Sequence, residues 1–510
     1  MTSMPQPVPS APQAEFSALF PDGEVCSLIG GEHVVGSGER VVVINPATED
    51  PSHGYADGGA AHGEQALEAA RQGGLAWRAK TASARGAILF RTSELVRRDV
   101  ERLAVLESHF AGKPIRDARV EVGKVADMFA YYAGWADKIH GDVIPVPTSH
   151  VTYTLREPLG TIVQITPWNA PIFTAGWQLA PALAAGNAVI LKPSELTPVS
   201  SIALGHLLIE AGVPAEAVSV VAGLGATAGA RLVSESSVGK TVFIGSTETG
   251  RKIAAAAGAV GRPALLELGG KSANIVFADA DLARAAKAAQ GAIFGACGQS
   301  CTAGSRLLVQ RNVHDQLVEK LVSGTNRLTV GAPLDDVTEI GPINNRPQYD
   351  KVCGMIADGR EAGAEIVAGG MRPDDLDAGY YLRPTVLAGA TNDLAIAREE
   401  IFGPVLTVIP FADEDEAIAI ANDTEFDLAG AVWTREVGRA HRVARALRAG
   451  TVWVNGYRTL SVMAPFGGQR GSGFGRSSGS DVMMEYTQAK SVWVETDDAA
   501  PIPFGYGVDD

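Results

Sequence analysis

From Glu64 to about Lys138 apolar residues recur three or four positions apart, as in GEQALEAARQGGLAW and LFRTSELVRRDVERLAVLESHF, a spacing that predicts helices. Gly112-Lys113-Pro114 and the run YYAGWADK punctuate them. The texture then changes. Short apolar runs of strand character, TIVQIT (161–166), NAVILK (187–192), AVSVV (217–221) and KTVFIG (240–245), alternate with helical stretches near 174–185, 198–212 and 226–235. Such alternation predicts right-handed βαβ units and a parallel sheet covered on both faces. A second alternating block begins near Lys271: ANIVF, a helix over 281–295, SRLLVQ (305–310), another helix, then PVLTVIPF and GTVWVN. It predicts a second α/β domain. KSVWVETDD reads as a closing strand before an acidic Pro/Gly-containing tail over 498–510, and the Pro- and Ser-rich residues 1–20 read as a flexible arm.

At 510 residues the chain has room for two to four domains of about 150 residues each. Hydrophobic residues at 46% and charged ones at 20% describe a globular chain, not a disordered one. A net charge of −15 without like-sign blocks argues against nucleic acid as a partner, because phosphate binding needs a basic face. Four cysteines are too few for a disulfide framework and point to a reducing cytoplasm. The first 20 residues lack the basic start and apolar stretch of a secretory signal. Pro158 to Leu191 carries no charge and is long enough to span a bilayer. Pro167, Pro171 and Pro181, with Asn169, Gln178 and Asn187 between them, make it a buried part of a core instead, so no membrane partner is expected. The nine histidines show no metal-ligand spacing, so no metal is expected.

Several segments carry chemistry. GLGATAG (223–229) follows a strand and opens a helix, but its G-x-G-x-x-x-G spacing departs from the dinucleotide fingerprint. GGKS (269–272) and GKT (239–241) are not phosphate loops, because the upstream glycine position holds Leu265 or Ser234. FIGSTETG (243–250) places a Gly-Ser-Thr turn between strand and helix, either as an anion cradle or as plain N-capping by Ser246 or Thr247. KPSE (192–195) sits at a strand's carboxyl edge, where Lys192 and Glu195 suit a ribose diol or are ordinary surface charge; the carboxylate would repel a 2′-phosphate and so favours NAD over NADP. In FGACGQSC the polar turn Gly298-Gln299-Ser300 presents Cys301, a reactive thiol or core filling. Glu267 in LELGGKS is an isolated carboxylate among apolar residues, suited to general-base use, and Asn169 in TPWN offers an amide to an oxyanion.

Taken together with EEIFGPV (399–405) and PFGGQRGSGFGR (465–476), these segments resemble the NAD(P)-dependent aldehyde dehydrogenase superfamily, on its hydrolytic, non-CoA-acylating side, over roughly residues 30–495. The resemblance implies an α/β fold: a Rossmann-like parallel-sheet NAD domain (21–140 and 158–268), a second α/β catalytic domain (269–483) and a small β oligomerisation element (141–157 and 484–497). The assembly it implies is a homotetramer or homodimer. Cys301 would attack the aldehyde, its N–H and Asn169 would hold the oxyanion, and Glu267 would activate the water that hydrolyses the thioester. Ile165, Thr166, Trp168, Lys192, Ser194, Glu195, Gly225, Gly229, Phe243, Gly245, Ser246, Thr249, Gly269, Gln348, Glu400 and Phe402 would bind NAD, with NADP possible in members that keep the glutamate. Lys124, Ala170, Thr174, Trp177, Ser300, Thr302, Arg458 and Phe466 would line the substrate tunnel.

The chain departs from the family pattern in three places. Asp427 replaces a loop glycine, Arg470 a lysine, and Ser477 the glutamate usual after the Gly-Arg pair; all three are expected to affect local packing only. Ala170 and Thr174 stand where larger side chains are common, which suggests a wide tunnel and a bulky aldehyde. Lys124 and Arg458 suggest a carboxylate on it, unless both are solvated surface cations. A CoA-acylating semialdehyde dehydrogenase is the enzymatic alternative, and Glu267 counts against it. The other is a catalytically silent nucleotide-binding relative, which the presence of Cys301, Glu267 and Asn169 opposes. Cys297 is either a redox partner of Cys301 or small core filling.

Overall fold

The computed structural model describes residues 12–498. Five parallel strands, Ala264–Glu267, Val238–Ile244, Thr161–Ile165, Ala188–Lys192 and Val218–Val220, stand side by side in that order. Antiparallel Gly473–Phe474 closes one edge, and Ser27–Ile29 with Glu32–Val34 the other. Helices Gly59–Arg78, Pro171–Ala184 and Val199–Ala211 cover the sheet, burying Trp77, Leu179 and Leu204. A second sheet runs Glu365–Ala368, Thr385–Ala388, Val405–Phe411, Arg306–Gln310, Ala273–Val276, Ala429–Trp433, Thr451–Val454, parallel except at its first pair. Each sheet has its own apolar core.

The strands expected in the two parallel sheets form within a residue or two of their expected bounds, because continuous apolar runs can be buried on both faces only in such a sheet; the closing strand instead begins at Thr487, three residues before KSVWVETDD. The N-terminal helical region divides into Gly59–Arg78, Ala82–Arg98, Val100–Ala111 and Ile115–Ala133. Gly112, at φ 76°, ends the third of these in the left-handed conformation that glycine adopts without strain. The stretch expected to be helical near 226–235 is one π-type turn, Gly225–Gly229, and a short helix, Ala230–Val233. The charge-free segment is a strand, a loop and a buried helix; among the described residues no helix is long and apolar enough to cross a membrane.

The flexible arm needs correction. Residues 1–11 and 499–510 lie outside the described residues, but Pro12–Leu19 is a helix whose Phe16 and Leu19 are buried, with the Phe16 ring stacked 3.5 Å from His53. A composition rich in Pro and Ser hid two apolar anchors one helical turn apart. A three-stranded antiparallel sheet, Thr487–Glu495, His150–Pro158 and Val143–Ile144, lies apart from both cores.

Candidate active site

Strand register assembles one end of the site. Ile165 pairs with Lys192 on one side and Phe243 on the other, and Ile244 pairs with Glu267. Four segments far apart in sequence therefore finish at one carboxyl edge, the usual ligand-binding edge of an open parallel sheet. Here Thr166 N–H donates to Lys192 O at 3.1 Å, and the Thr166 hydroxyl is buried without a protein partner. Lys192 Nζ reaches Glu195 Oε2 at 3.2 Å, and burial pulls the lysine below its ordinary pKa. Ser246 caps helix Thr247–Ala259: its Oγ accepts from Thr249 N–H at 3.3 Å and donates to Thr249 Oγ1 at 3.0 Å. Ser194 Oγ accepts from Leu196 N–H. Gly245 lies against the Phe243 ring, which a side chain there would meet. Gly225 and Gly229 have open or ordinary surroundings, so nothing in the protein's own packing demands glycine there.

The second sheet presents the opposite wall. Between helix Leu282–Phe294 and strand Arg306–Gln310, three consecutive residues, Ala296, Cys297 and Gly298, take φ of 56°, 56° and 70°. That left-handed run is costly for the two non-glycine residues and turns the chain sharply toward Cys301. A Cβ on Gly298 would come within 1.9 Å of Gly403 O, so this turn packs directly on the 399–405 loop. Asn169 Nδ2 donates to Gln299 O at 2.7 Å, which fixes the amide beside Cys301 and leaves its second N–H free of that bond. Cys297 is buried in the second core, which favours the filling role.

The 399–405 loop is clamped from below. Gln348 Nε2 donates to Ile401 O and Phe402 O at 2.8 and 3.0 Å, and Lys351 Nζ to Glu400 O at 2.7 Å. Phe402 sits at φ 57° with its ring edge-on to Trp168 at 5.3 Å. Glu400 Oε1 accepts from Gly270 N–H at 3.0 Å, and Gly269 leaves the space that Glu400 Oε2 fills.

These walls enclose a cavity of about 300 Å³. Cys301, Glu267, Asn169, Trp168, Gly245, Ser246, Gly269, Gln348, Glu400 and Phe402 line it, as do all eight expected tunnel residues: Lys124, Ala170, Thr174, Trp177, Ser300, Thr302, Arg458 and Phe466. Ile165, Thr166, Lys192, Ser194, Glu195, Gly225, Gly229, Phe243 and Thr249 do not line it and stand along the sheet edge and its following turns. Burial pushes Glu267 up to about 8 and Glu400 to about 7. Burial also pushes the Cys301 thiol to about 12, aided by the two carboxylates and opposed by Arg458.

Sequence reasoning missed several contributors. Asp57, 167 residues from Leu224, accepts from Leu224 N–H and the Thr227 hydroxyl and so holds the turn before Gly225. Glu121 lines the cavity and pairs with Lys113; its spacing of three from Lys124 on a helix was the available signal. The expectation that Ser477 matters only for packing is overturned, since its hydroxyl lies 2.5 Å from Glu267 Oε1. Asp427 and Arg470 instead pair with each other at 2.7 Å, one departure answering the other.

The sequence model of the aldehyde dehydrogenase family matches residues 33–492. The chain belongs to this family. Betaine aldehyde dehydrogenase of Bacillus subtilis is 42% identical over 92% of this chain and 98% of its own length, and human retinal dehydrogenase 2 is 42% identical over 90% and 89%. Among solved structures, PnpE from Pseudomonas in complex with nicotinamide adenine dinucleotide superposes with a TM-score of 0.92 at 41% identity, over 94% of this chain and 99% of that one. Betaine aldehyde dehydrogenase from Staphylococcus aureus in complex with NAD+ gives 0.94 at 34% identity over 98% and 100%. The protein is thus an NAD(P)-dependent aldehyde dehydrogenase with the α/β fold of that family.

Proposed function

We propose that this aldehyde dehydrogenase oxidises a bulky, carboxylate-bearing aldehyde to its acid with NAD, by a hydrolytic route through Cys301. The observation that carries the reading is the single cavity in which Cys301, Asn169 and Glu267 meet. Lys192 and Glu195 present an ammonium and a carboxylate to a ribose diol. Thr166 offers an unpartnered hydroxyl, Ser246 stands at a helix start, and Glu400 and Phe402 face the cavity from the opposite loop. That donor set fits NAD, and Glu195 would repel a 2′-phosphate. Residues 21–140 and 158–268 form the NAD domain in this reading, and residues 269–483 the catalytic domain.

The Cys301 thiol rests protonated, so it needs a base, and Glu267, one of the carboxylates lining the same cavity, takes that proton in its ionised form. The thiolate adds to the carbonyl carbon, and the oxyanion is held by the Cys301 N–H and Asn169 Nδ2, each such contact worth about 3–4 kcal/mol. NAD held by these residues would supply the hydride acceptor that lets the thiohemiacetal on Cys301 become a thioester. Once Glu267 has released the thiol proton to solvent, it takes a proton from water; the hydroxide adds to the acyl carbon, the C–S bond breaks, and the acid and the Cys301 thiolate are freed. A CoA-acylating branch would have no use for Glu267 in this place.

A second chamber of about 380 Å³ shares Lys124, Phe173, Trp177, Leu460 and Phe466 with the first and is lined further by Asp127, Met128 and Tyr131, room for a bulky, mainly apolar body. Lys124 and Arg458 line the first chamber, and among the described residues neither has a carboxylate within ion-pair distance. They are the groups that would receive the substrate's own. All four cysteines are unpaired, in keeping with a reducing cytoplasm.

NADH absorbance tests the reading, with neutral, aromatic and carboxylate-bearing aldehydes, each with NAD and NADP and without CoA. Turnover should rise with pH through about 8, where Glu267 loses its proton. Cys301→Ala should abolish NADH formation, whereas Glu267→Gln should abolish steady turnover. Full turnover by Cys301→Ala would overturn the proposal.

A further inference from the structure

Ser477 is fully buried, and its main chain is fixed by its own N–H donating to Phe466 O at 2.8 Å. The segment before it, Gly473–Phe474, is an edge strand of the first sheet, with Gly473 opposite Glu267. Backbone pairing therefore places the Ser477 hydroxyl 2.5 Å from Glu267 Oε1 across 210 residues of sequence. An ionised carboxylate only accepts, so the hydroxyl is the donor. The other oxygen, Oε2, is buried without a protein partner.

We infer that Ser477 is a positioning residue for the base: its hydroxyl engages Oε1, fixes the carboxyl plane, and leaves Oε2 as the oxygen that takes the proton from water. The inference rests on the reading of Glu267 as that base. In the step itself a water O–H bond breaks, an Oε2–H bond forms and the hydroxide adds to the acyl carbon, while Ser477 keeps its proton. A glutamate here, as the family pattern has it, would set a second acid against Glu267; serine sets a neutral donor there. The hydroxyl also opposes the effect of burial, because a hydrogen bond to the ionised form favours that form. The other charged or titratable groups acting on Glu267 are Arg476, which favours ionisation, Glu485, which disfavours it while paired with Lys240, and the Cys301 thiol.

The test is a pH titration of the protonated-carboxyl C=O stretch by difference infrared spectroscopy, assigned as the band lost in Glu267→Gln. In Ser477→Ala that band should titrate about one to two pH units higher than in the native enzyme, the range expected for loss of a hydrogen bond to a charged group. Ser477→Cys, a weaker donor, should fall between. With terephthalaldehydic acid, an aromatic aldehyde that bears a carboxylate, and NAD, the acid limb of steady turnover should move upward with the band. At neutral pH kcat should fall about tenfold or more while KM for NAD stays unchanged. An unmoved band in a folded Ser477→Ala overturns the inference. Undiminished steady turnover in Glu267→Gln instead overturns the assignment of the base, and the infrared result still reports on the hydrogen bond.

Discussion

Arg458 is an unusual residue in its own backbone. It holds φ at 59°, which costs a non-glycine side chain roughly 1–3 kcal/mol, and its guanidinium donates to Gly295 O at 3.1 Å. The contact ties the tunnel wall to the turn that presents Cys301. Replacing Arg458 by alanine should raise KM for acidic semialdehydes about tenfold or more, by loss of a charge-assisted contact, and hardly change KM for neutral aldehydes. Initial rates over paired acidic and neutral substrates check this, and equal effects on both would reject the carboxylate assignment. At this scale Cys301, Glu267 and Asn169 were legible because their segments are short and chemically distinctive. Ser477 was not: a serine hydroxyl says nothing about its partner until the edge strand places it.

Among the elements, the loop around Asp427 shows how an isolated departure gains sense from its neighbour. Asp427 is buried, one of its oxygens is 2.7 Å from Arg470 Nε, and the other has no hydrogen-bond partner. Burial raises its pKa, and Arg470 and Arg448 oppose that. Arg470→Ala leaves a buried carboxylate largely uncompensated. Because the arginine is itself part-exposed, the expected cost is moderate, about 1–3 kcal/mol. Thermal unfolding should show a lowered Tm, and adding Asp427→Asn should recover part of it. No change in Tm would mean that the pair is structurally idle. The central strands of both sheets were legible as apolar runs and the longer helices as a three-to-four-residue period, whereas short strands such as Ser27–Ile29, Glu365–Ala368 and Thr385–Ala388 were not. The N-terminal helix was not, since Phe16 and Leu19 are anchors only because other elements close over them. Nor was the Gly225–Gly229 turn, whose shape is held by Asp57 from 167 residues before Leu224.

For the whole molecule, the three-stranded sheet stands out. Its register puts Val143, Val151, Leu155 and Val494 on one face, and Val143 is 79% exposed. The face also carries the Lys490–Glu157 ion pair, and exposed apolar side chains grouped in this way suit a contact with another protein surface. We propose that it joins copies of this chain into a dimer or tetramer. Val151→Glu combined with Leu155→Glu should dissociate the assembly in sedimentation velocity and leave a folded, smaller species. A native chain that sediments as a monomer would refute the proposal.

By itself the sequence determined the alternation of strand and helix, the two α/β halves and the side-chain types from which a site could be built, because burial pattern and side-chain type are local properties of a chain. Only the tertiary structure decided which of those residues meet. Register brings Lys192, Ile165, Phe243 and Glu267 to one edge, the second sheet lays Cys301 and Glu400 opposite, and an edge strand delivers Ser477 to Glu267. Those meetings span 27 residues between Ile165 and Lys192 and 210 between Glu267 and Ser477, and their partners are fixed by backbone pairing and core packing that no single segment encodes.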